Sequence, residues 1–219
     1  MTEKLNINEI FFSIQGEGTR AGLPCIFIRM QGCMLRCHWC DTDYALELNI
    51  NKNIMSIDEI LEKIKEYKCK FVELTGGEPL AQDNTYILAK YLCDLGYQVA
   101  IETNGYADVS KLDSRVIKIM DMKCPGSGMS KFNNYSNFNY LDKKDEVKFV
   151  ISDENDFLWA KDIIIKYNLL ERVGAVLVSP AFGLIEPRKL AELILSSSLN
   201  IRLQLQIHKY IWEPNTRGV

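Results

Sequence analysis

Short apolar runs alternate with amphipathic stretches along this 219-residue chain, and that alternation restricts its possible folds more than any other feature. The apolar runs are rich in Val, Ile and Phe, which is typical of buried parallel strands. Strands are predicted at residues 24–31, 71–75, 98–103, 116–123, 146–152, 175–179 and 201–208.

Helices are predicted between these runs, at about residues 57–67, 84–95, 155–167 and 187–197. Ser56, followed three residues later by Glu59, forms a capping-box pattern before the first of them. Strand–helix alternation implies parallel strands joined by helical crossovers. We expect one α/β domain over residues 1–219. Because six or seven strands are too few for a closed eight-stranded barrel, this domain should be an open partial (β/α) barrel of about six parallel strands. Its functional residues should lie at the carboxyl ends of the strands.

The composition excludes several classes of protein. Twenty-six Lys and Arg residues against 29 Asp and Glu give a formal net charge of −3, which offers no electrostatic basis for binding nucleic acid. No apolar run approaches the roughly 20 residues needed to span a bilayer. Residues 1–6 lack the basic and then apolar pattern of a signal peptide. We therefore expect a cytoplasmic protein with no nucleic-acid or membrane partner.

Three of the seven cysteines, Cys33, Cys37 and Cys40, cluster in a loop of about residues 32–53 after the first predicted strand. In a reducing compartment such a cluster indicates metal binding rather than disulfides. Three thiolates with no fourth nearby would leave one iron of an iron–sulfur cluster open. Zinc is the alternative, although His38 adjoins Cys37 and would have difficulty reaching the same ion. The other four cysteines are expected to be small buried hydrophobes: Cys25, Cys69, Cys93 and Cys124.

The spacing Cys-x3-Cys-x2-Cys after the first strand resembles the signature of the radical S-adenosylmethionine superfamily. The sequence Gly-Gly-Glu-Pro at 76–79 ends the next strand and resembles the superfamily segment that binds the methionine amine of the cofactor. Glycines let the backbone approach a ligand closely, and a carboxylate accepts hydrogen bonds from an ammonium group. The resemblance implies a 4Fe-4S cluster on the three cysteines, with its open iron binding S-adenosylmethionine.

Upstream of the cysteines, Gln15 and Glu17 flank a glycine in a segment too glycine-rich for a strand interior. They could present an amide and a carboxylate to a hydrogen-bonding heterocycle, or the segment could be a solvated turn. Arg29 lies inside an apolar run and requires an anionic partner. That partner could be a substrate carboxylate or the other half of a structural salt bridge.

Two further positions carry candidate ligand groups. Asp41 and Thr42 follow the last clustered cysteine and could offer oxygen ligands to magnesium, or they could form a turn that ends the loop. His208 stands at the predicted end of the last strand. It could hydrogen-bond a substrate carboxylate, or it could be structural.

Five segments together resemble the 7-carboxy-7-deazaguanine synthase family, which serves the pathway to queuosine and other 7-deazapurines. They are Ser-Ile-Gln-Gly-Glu-Gly at 13–18, the strand that carries Arg29, Cys-Asp-Thr at 40–42, Asp-Met-Lys-Cys-Pro-Gly-Ser-Gly at 121–128 and Gln-Ile-His-Lys at 206–209. The resemblance extends from about residue 8 to the last residues of the chain.

This resemblance implies a role for each matching position. It assigns substrate contacts to Ile14, Gln15, Gly16, Glu17, Arg29, Thr75, His208 and the terminal carboxylate of Val219. It assigns cofactor contacts to Gly77, Glu78, Glu102, Pro125, Gly126, Ser127 and Ser179. It assigns the 4Fe-4S cluster to Cys33, Cys37 and Cys40, and Mg²⁺ to Thr42. No catalytic side chain beyond the cluster and cofactor is implied.

The reaction implied by the family is that of a carbon–nitrogen lyase. A 5′-deoxyadenosyl radical takes hydrogen from C6 of 6-carboxy-5,6,7,8-tetrahydropterin, and the substrate radical rearranges to 7-carboxy-7-deazaguanine with loss of ammonia. The rearranged radical recovers a hydrogen from 5′-deoxyadenosine, and S-adenosylmethionine is regenerated. The resemblance also implies a homodimer and a flavodoxin-type electron donor.

Two other functions remain open from the sequence. An activating enzyme for a glycyl-radical protein shares both general motifs but acts on a protein chain. A non-catalytic iron–sulfur or zinc module is the second alternative. Gln15, Glu17, Arg29, Gln206 and His208 favour a small carboxylated substrate over a protein chain.

Overall fold

The computed structural model describes residues 2–48, residue 50 and residues 53–219. The strands in these residues are β1 (Lys4–Ile14), β2 (Pro24–Met30), β3 (Ile54–Ser56), β4 (Phe71–Gly76), β5 (Gln98–Thr103), β6 (Ile117–Met122), β7 (Glu146–Ile151), β8 (Ala175–Pro180) and β9 (Arg202–Leu203). The α-helices are α1 (Ile57–Lys65), α2 (Asn84–Asp94), α3 (Glu154–Lys166), α4 (Leu169–Arg172), α5 (Pro187–Ser197) and α6 (His208–Ile211). None of these helices is long and apolar enough to cross a bilayer, a statement limited to the described residues.

All of these strands belong to one sheet in the order β3-β1-β2-β4-β5-β6-β7-β8-β9. From β2 to β9 each neighbouring pair is parallel, whereas β1 runs antiparallel to β2 and β3. The sheet is open because β3 and β9 do not pair. This confirms the predicted α/β class with an open, mostly parallel sheet.

A loop after β1 shows that the sheet curls. This loop, residues 15–20, is termed the bridging loop. Although β1 is near one end of the strand order, the Gly18 N–H donates to Gln204 Oε1, 2.9 Å away, just after β9. The Thr19 N–H donates to Glu146 Oε2 on β7 at 3.1 Å. The bridging loop therefore spans the open side of a partial barrel.

Side chains alternate between the two faces of the sheet, and the outer face is mostly apolar, with Lys118 on β6 paired to Asp145 at 3.1 Å as a buried exception. Outward residues of β1, β2, β4 and β5 pack with α1 and α2 in one buried core, which includes Ile28, Leu74, Ile60 and Leu88. Outward residues of β6, β7 and β8 pack with α3 and α5 in a second. Burial of apolar side chains in these two cores, between the outer face of the sheet and the helices, stabilises the barrel wall.

The inner face changes from apolar to charged along the strands. Near the amino ends it is an apolar cluster of Cys25, Phe27, Phe71, Ala100, Ile117 and Ile119. Because every second residue faces inward, the next inward positions toward the carboxyl ends are Glu73, Glu102 and Asp121, and on β7 the inward residues include Glu146 and Lys148. The barrel is therefore filled at the bottom and polar at the top.

Several predicted elements differ from the structure. β1 and β3 were not predicted. In β1 a bulge between Ile7 and Glu9 interrupts the alternation of polar and apolar residues that indicates a strand. The predicted strand at 201–208 is wrong beyond Leu203, since the chain leaves the sheet and His208 begins α6. In the predicted cysteine loop at 32–53, residues 49, 51 and 52 lie outside the described residues.

The predicted capping box of α1 is confirmed. The Glu59 N–H donates to Ser56 Oγ at 3.3 Å, and the Ser56 N–H donates to Glu59 Oε2 at 2.7 Å. Replacing Ser56 with alanine is expected to lower the free energy of unfolding by about 1 kcal/mol, because an orphan N–H loses its acceptor. Urea denaturation compared with the exposed-site control Ser114→Ala measures this difference. Equal stability of the two variants would show that the cap contributes nothing measurable.

Candidate active site

The carboxyl ends of the strands surround a cavity of about 470 Å³. Most residues predicted for the site line it: Ile14, Gln15, Gly16, Glu17, Arg29, Cys33, Cys37, Cys40, Thr42, Thr75, Gly77, Glu102, Ser179, His208 and Val219. Four predicted cofactor contacts are not in its lining: Glu78, Pro125, Gly126 and Ser127. Residues that are up to about 200 positions apart in sequence thus meet at one site.

The cysteine loop is held by backbone hydrogen bonds close to its first thiol. The Gly32 N–H donates to the Ala45 carbonyl at 2.7 Å, and the Cys33 N–H donates to the Leu46 carbonyl at 2.9 Å. Inside the loop, Arg36 Nη1 donates to the Cys33 carbonyl at 2.7 Å. These bonds fix the loop at the end of β2, so its thiols face the cavity.

The three thiols have the surroundings that iron–sulfur ligands require. Cys33 Sγ accepts from the Leu35 N–H at 3.4 Å and from Asn104 Nδ2 at 3.8 Å, and such donors stabilise a thiolate. Burial raises the pKa of all three thiols, while the nearby Lys123 ammonium lowers the pKa of each. Metal binding displaces the thiol protons, and Lys123 then offsets the resulting negative charge.

The side chains fit a cluster better than a single zinc ion. Within the described ranges, no group of three or more His, Cys, Asp or Glu side chains is arranged to hold one metal ion. A tetrahedral zinc site needs its ligands to converge on one point. The thiolates of a 4Fe-4S cluster bind different irons and need not do so. His38 also faces elsewhere, with Nδ1 2.9 Å from the Gly126 carbonyl.

Asp121 contributes an acceptor that nothing in the described protein uses. It is 9% exposed, and Oδ2 accepts from Lys123 Nζ at 2.9 Å, but Oδ1 has no hydrogen-bond partner among the described residues. Asp121 and Lys123 both line the cavity beside the three cysteines. A buried acceptor without a partner is costly unless a ligand supplies the donor. The residues present therefore fit a bound polar cofactor next to the cluster.

Gly77 and Glu78 of the Gly-Gly-Glu-Pro motif contact the cysteine loop and the end of β5. A Cβ on Gly77 would lie 2.4 Å from the Gly32 carbonyl oxygen, so only glycine allows this approach. Glu78 is 1% exposed and accepts from the Asn104 N–H at 2.7 Å and from Thr103 Oγ1 at 2.8 Å. Burial raises the pKa of Glu78, although these hydrogen bonds oppose the shift. Glu78 thus lies behind the cavity wall, and its contact with the cofactor stays a prediction.

The Pro125–Ser127 turn supports the cysteine loop from outside the cavity. It is a short 3-10 helix. The His38 N–H donates to the Ser127 carbonyl at 3.2 Å, and the Gly126 N–H donates to Asp156 Oδ1 at 2.8 Å. A Cβ on Gly126 would lie 2.6 Å from Asp156 Oδ2. The structure gives this turn a supporting position, and its predicted cofactor contact is not seen in the cavity lining.

Gln15 carries the bridging loop into the barrel interior. Its side-chain amide donates to Glu73 Oε2, and its Oε1 accepts from the Glu17 N–H at 3.0 Å. Burial raises the pKa of Glu73 well above its usual range, with repulsion from Glu102 and Glu17 adding to the effect. The surroundings of Glu73 therefore favour its neutral form over the carboxylate.

Glu17 is held by three donors rather than exposed in a solvated turn. Lys148 Nζ and Gln204 Nε2 donate to its Oε2, the latter at 2.8 Å, and Gln206 Nε2 donates to its Oε1 at 2.8 Å. Burial alone would raise the pKa of Glu17, but attraction to Lys148 and the hydrogen bonds lower it overall. Lys148 Nζ also donates to Glu102 Oε1 at 2.5 Å. Both carboxylates line the cavity.

His208 reaches the site from α6 rather than from a strand. Its ring packs against Gly16, where a Cβ would lie 2.1 Å from His208 Nδ1. The Ile207 N–H donates to the Gly16 carbonyl at 3.1 Å, which fixes α6 to the bridging loop. Burial lowers the pKa of His208, so the imidazole is neutral at physiological pH.

Arg29 has a partner within the protein. Its Nε donates to Glu9 Oε1 at 2.8 Å, and Tyr44 Oη donates to the same oxygen at 3.0 Å. Its guanidinium carbon lies 5.7 Å from the Phe11 ring centroid. The structural salt bridge is therefore present, while the guanidinium also lines the cavity. Its contact with a substrate carboxylate stays a prediction.

Thr42 and the C-terminal segment close the remaining sides of the cavity. Thr42 Oγ1 donates to Asp41 Oδ1 at 3.0 Å, and Asp41 Oδ2 accepts from Gln206 Nε2 at 3.2 Å. Residues 214–219 line the cavity, and the Arg217 guanidinium carbon lies 3.9 Å from the Tyr44 ring centroid. Thr42, the predicted magnesium ligand, and Val219, the predicted source of a terminal carboxylate, thus line the same cavity.

Sequence reasoning missed several residues of the site. The main ones are Glu73, Asn104, Asp121, Lys123, Lys148 and Gln204. A usable signal was present, because Glu73 and Lys148 interrupt apolar strand runs in the same way as Arg29. A charged residue inside a buried strand requires a partner.

Three comparisons with known proteins agree with this geometry. The Radical SAM superfamily model matches residues 27–123. The 7-carboxy-7-deazaguanine synthase of Chlorobaculum tepidum is 44% identical over 98% of this chain and 97% of its own. That of Clostridium acetobutylicum is 43% identical over 96% of this chain and 97% of its own. The crystal structure of QueE from Escherichia coli matches with a TM-score of 0.74 and 25% identity, over 92% of this chain and 93% of that one.

The open parallel sheet with three clustered cysteines at its carboxyl edge is that of a radical S-adenosylmethionine enzyme. This class uses a 4Fe-4S cluster and S-adenosylmethionine, and the thiols and polar groups around the cavity suit both. Within that class, the chain belongs to the 7-carboxy-7-deazaguanine synthase family.

Proposed function

We propose that this chain catalyses the ring contraction of 6-carboxy-5,6,7,8-tetrahydropterin to 7-carboxy-7-deazaguanine, with loss of ammonia. The observation that best supports this proposal is that the cysteine loop and the bridging loop face one cavity of about 470 Å³. This volume is within the range of about 300–1,000 Å³ that is usual for small-molecule sites. When bound, the cluster and S-adenosylmethionine supply the 5′-deoxyadenosyl radical that starts the reaction.

The side chains of this chain orient the substrate and exclude water. Glu17 offers a fixed carboxylate acceptor to the amino-substituted edge of a pterin. Arg29, neutral His208 and Thr42 are available to the carboxylate on the opposite side of the ring. Gln15 fixes the bridging loop by its hydrogen bonds to Glu73 and to the Glu17 N–H. The Glu17 carboxylate is therefore already ordered before the substrate binds.

Anaerobic incubation of the reconstituted protein tests this function. The mixture contains 6-carboxytetrahydropterin, S-adenosylmethionine, magnesium and a reductant, and the products are separated by chromatography with mass detection. The deazaguanine acid and ammonia are expected in equal amounts. Release of 5′-deoxyadenosine without the deazaguanine acid would instead favour the activating-enzyme function.

The magnesium assignment rests on Thr42 and the substrate oxygens. Mg²⁺ is usually held by one or two protein groups together with substrate oxygens and water. Thr42→Ala is expected to raise the magnesium concentration needed for half-maximal activity at least tenfold, with little effect on cleavage of S-adenosylmethionine. Thr42→Ser keeps the hydroxyl and should behave like the wild type. The assignment would be lost if Thr42→Ala and the wild type had equal magnesium dependence.

The physiological setting is proposed from the chemistry and the family. A 4Fe-4S cluster with one open iron needs a low-potential one-electron donor, and a flavodoxin-type protein is the proposed donor. The cluster thiolates require a reducing compartment, for which the cytoplasm is proposed. A homodimer is proposed from the family resemblance. Size-exclusion chromatography with light scattering checks the dimer.

A further inference from the structure

Lys148 links the two sides of the cavity, although neither the cluster nor the cofactor motifs include it. It lies on β7 and is 5% exposed. Its ammonium donates to Glu17 on the bridging loop and to Glu102 on β5, at 2.5 Å for the latter. A buried ammonium between two carboxylates fixes the position of both.

We propose that Lys148 is a positioning residue that fixes Glu17 for the amino-substituted edge of the pterin and so makes the site selective for it. This inference rests on the proposed function. Glu102 is the counter-ion on the opposite side, and it keeps the ammonium in place when Glu17 contacts a ligand. In this proposal Lys148 acts on the substrate through Glu17.

The hydrogen bonds of Glu17 leave one direction open. A carboxylate has about four acceptor positions. Lys148, Gln204 and Gln206 occupy three of them. Since Glu17 lines the cavity, the remaining position is available to a ligand there. The three donors make this acceptor rigid, and a rigid acceptor discriminates between a ring N–H or amino group and an oxygen in the same place.

Three carboxyl groups lie around the Lys148 ammonium, and their number explains why a cation is needed between them. Glu17, Glu73 and Glu102 meet in the upper barrel, and all three are in electrostatic contact with Lys148. Burial by itself favours the neutral form of each carboxyl group. Burial raises the pKa of Glu73 and of Glu102, where attraction to Lys148 opposes the shift, whereas attraction to Lys148 and hydrogen bonds lower the pKa of Glu17 overall. Without Lys148, repulsion between Glu17 and Glu102 would neutralise or displace one of them.

Equilibrium binding on the holoenzyme tests this inference without turnover. The protein carries its reconstituted cluster and S-adenosylmethionine, and no reductant is added. The ligands are 6-carboxytetrahydropterin and its 2-oxo counterpart, a lumazine, which lacks the 2-amino group. Lys148→Met is expected to weaken pterin binding at least tenfold and lumazine binding less than threefold. Lys148→Arg keeps the charge and should restore most of the discrimination.

A merely structural role gives a different result. Equal weakening of both ligands, or no change for the pterin, would overturn the inference. If Lys148→Met does not fold, the double variant Glu102→Gln with Lys148→Met removes one charge of each sign and takes its place. The same loss of discrimination is expected there, and preserved discrimination in the folded double variant would contradict the inference.

Failure of this inference is distinguishable from failure of the proposed function. If the wild type forms the deazaguanine acid but Lys148→Met still discriminates normally, only the role of Lys148 is lost. If the wild type neither binds nor converts the pterin, the proposed function itself is wrong.

Discussion

Replacing Cys40 with alanine is expected to abolish both cluster binding and product formation. No fourth thiol is available to replace it, because of the seven cysteines only Cys33, Cys37 and Cys40 line the cavity. A three-cysteine site that loses one thiolate leaves two irons without a protein ligand. The variant should reconstitute as a nearly colourless protein, with iron and sulfide content well below four per chain and product below the detection limit.

Cys69→Ala is the matched control for this substitution. Cys69 is partly exposed at the amino-end side of the barrel, where its Sγ lies 3.3 Å from the Pro24 carbonyl oxygen. Its loss should leave the visible absorption and the activity unchanged. Wild-type iron content in Cys40→Ala would contradict the assigned ligand set, as would a similar loss of iron in the control.

Replacing Gly77 with alanine is expected to lower activity at least tenfold and to reduce cluster occupancy. Its Cβ would lie 2.4 Å from the Gly32 carbonyl oxygen and 2.7 Å from that of Ala45. Both are backbone atoms of the cysteine loop, so the loop itself must shift to relieve the contact. Forcing extra atoms into a packed site typically costs about 1–3 kcal/mol. Iron content, activity and the urea midpoint are measured together.

Gly96→Ala separates a loss of stability from a loss at the site. Gly96 has a φ of 77°, but a methyl group at its Cα would have no neighbouring heavy atom within 4 Å. Alanine there carries the left-handed backbone cost of roughly 1–2 kcal/mol, and Gly96 lies outside the cavity lining. It should lower the urea midpoint while iron content and activity stay unchanged. Equal activity of Gly77→Ala and the wild type would show that the close approach is unimportant.

The sequence was sufficient for the parallel part of the fold. Strand bounds such as 98–103 and helix bounds such as 187–197 agree with β5 and α5, because buried strands and amphipathic helices have distinct periodicities. β1 was missed because its alternation is broken by a bulge. The region after Leu203 was misassigned because the chain leaves the sheet there, and Gln204, Gln206 and the Ile207 N–H form hydrogen bonds with the bridging loop. No local sequence pattern contains this tertiary effect.

The candidate site was predictable where its functional residues lie close together in the sequence. The spacing of Cys33, Cys37 and Cys40 placed their loop correctly after β2. The position of Glu78 behind the cavity wall was not predictable, because Thr103 and Asn104 reach it from another strand. Lys148 was missed for a similar reason, since its importance depends on Glu17, which is 131 residues away in the chain.

In the proposed reaction, hydrogen passes between the pterin and the cofactor within this one cavity. The most direct test uses 6-carboxytetrahydropterin with deuterium at C6, incubated with reduced holoenzyme and S-adenosylmethionine. After turnover, mass spectrometry of the re-isolated S-adenosylmethionine is expected to show deuterium, together with formation of the deazaguanine acid. If the deazaguanine acid forms while S-adenosylmethionine stays unlabelled and the deuterium is lost to solvent, hydrogen does not pass between the pterin and the cofactor.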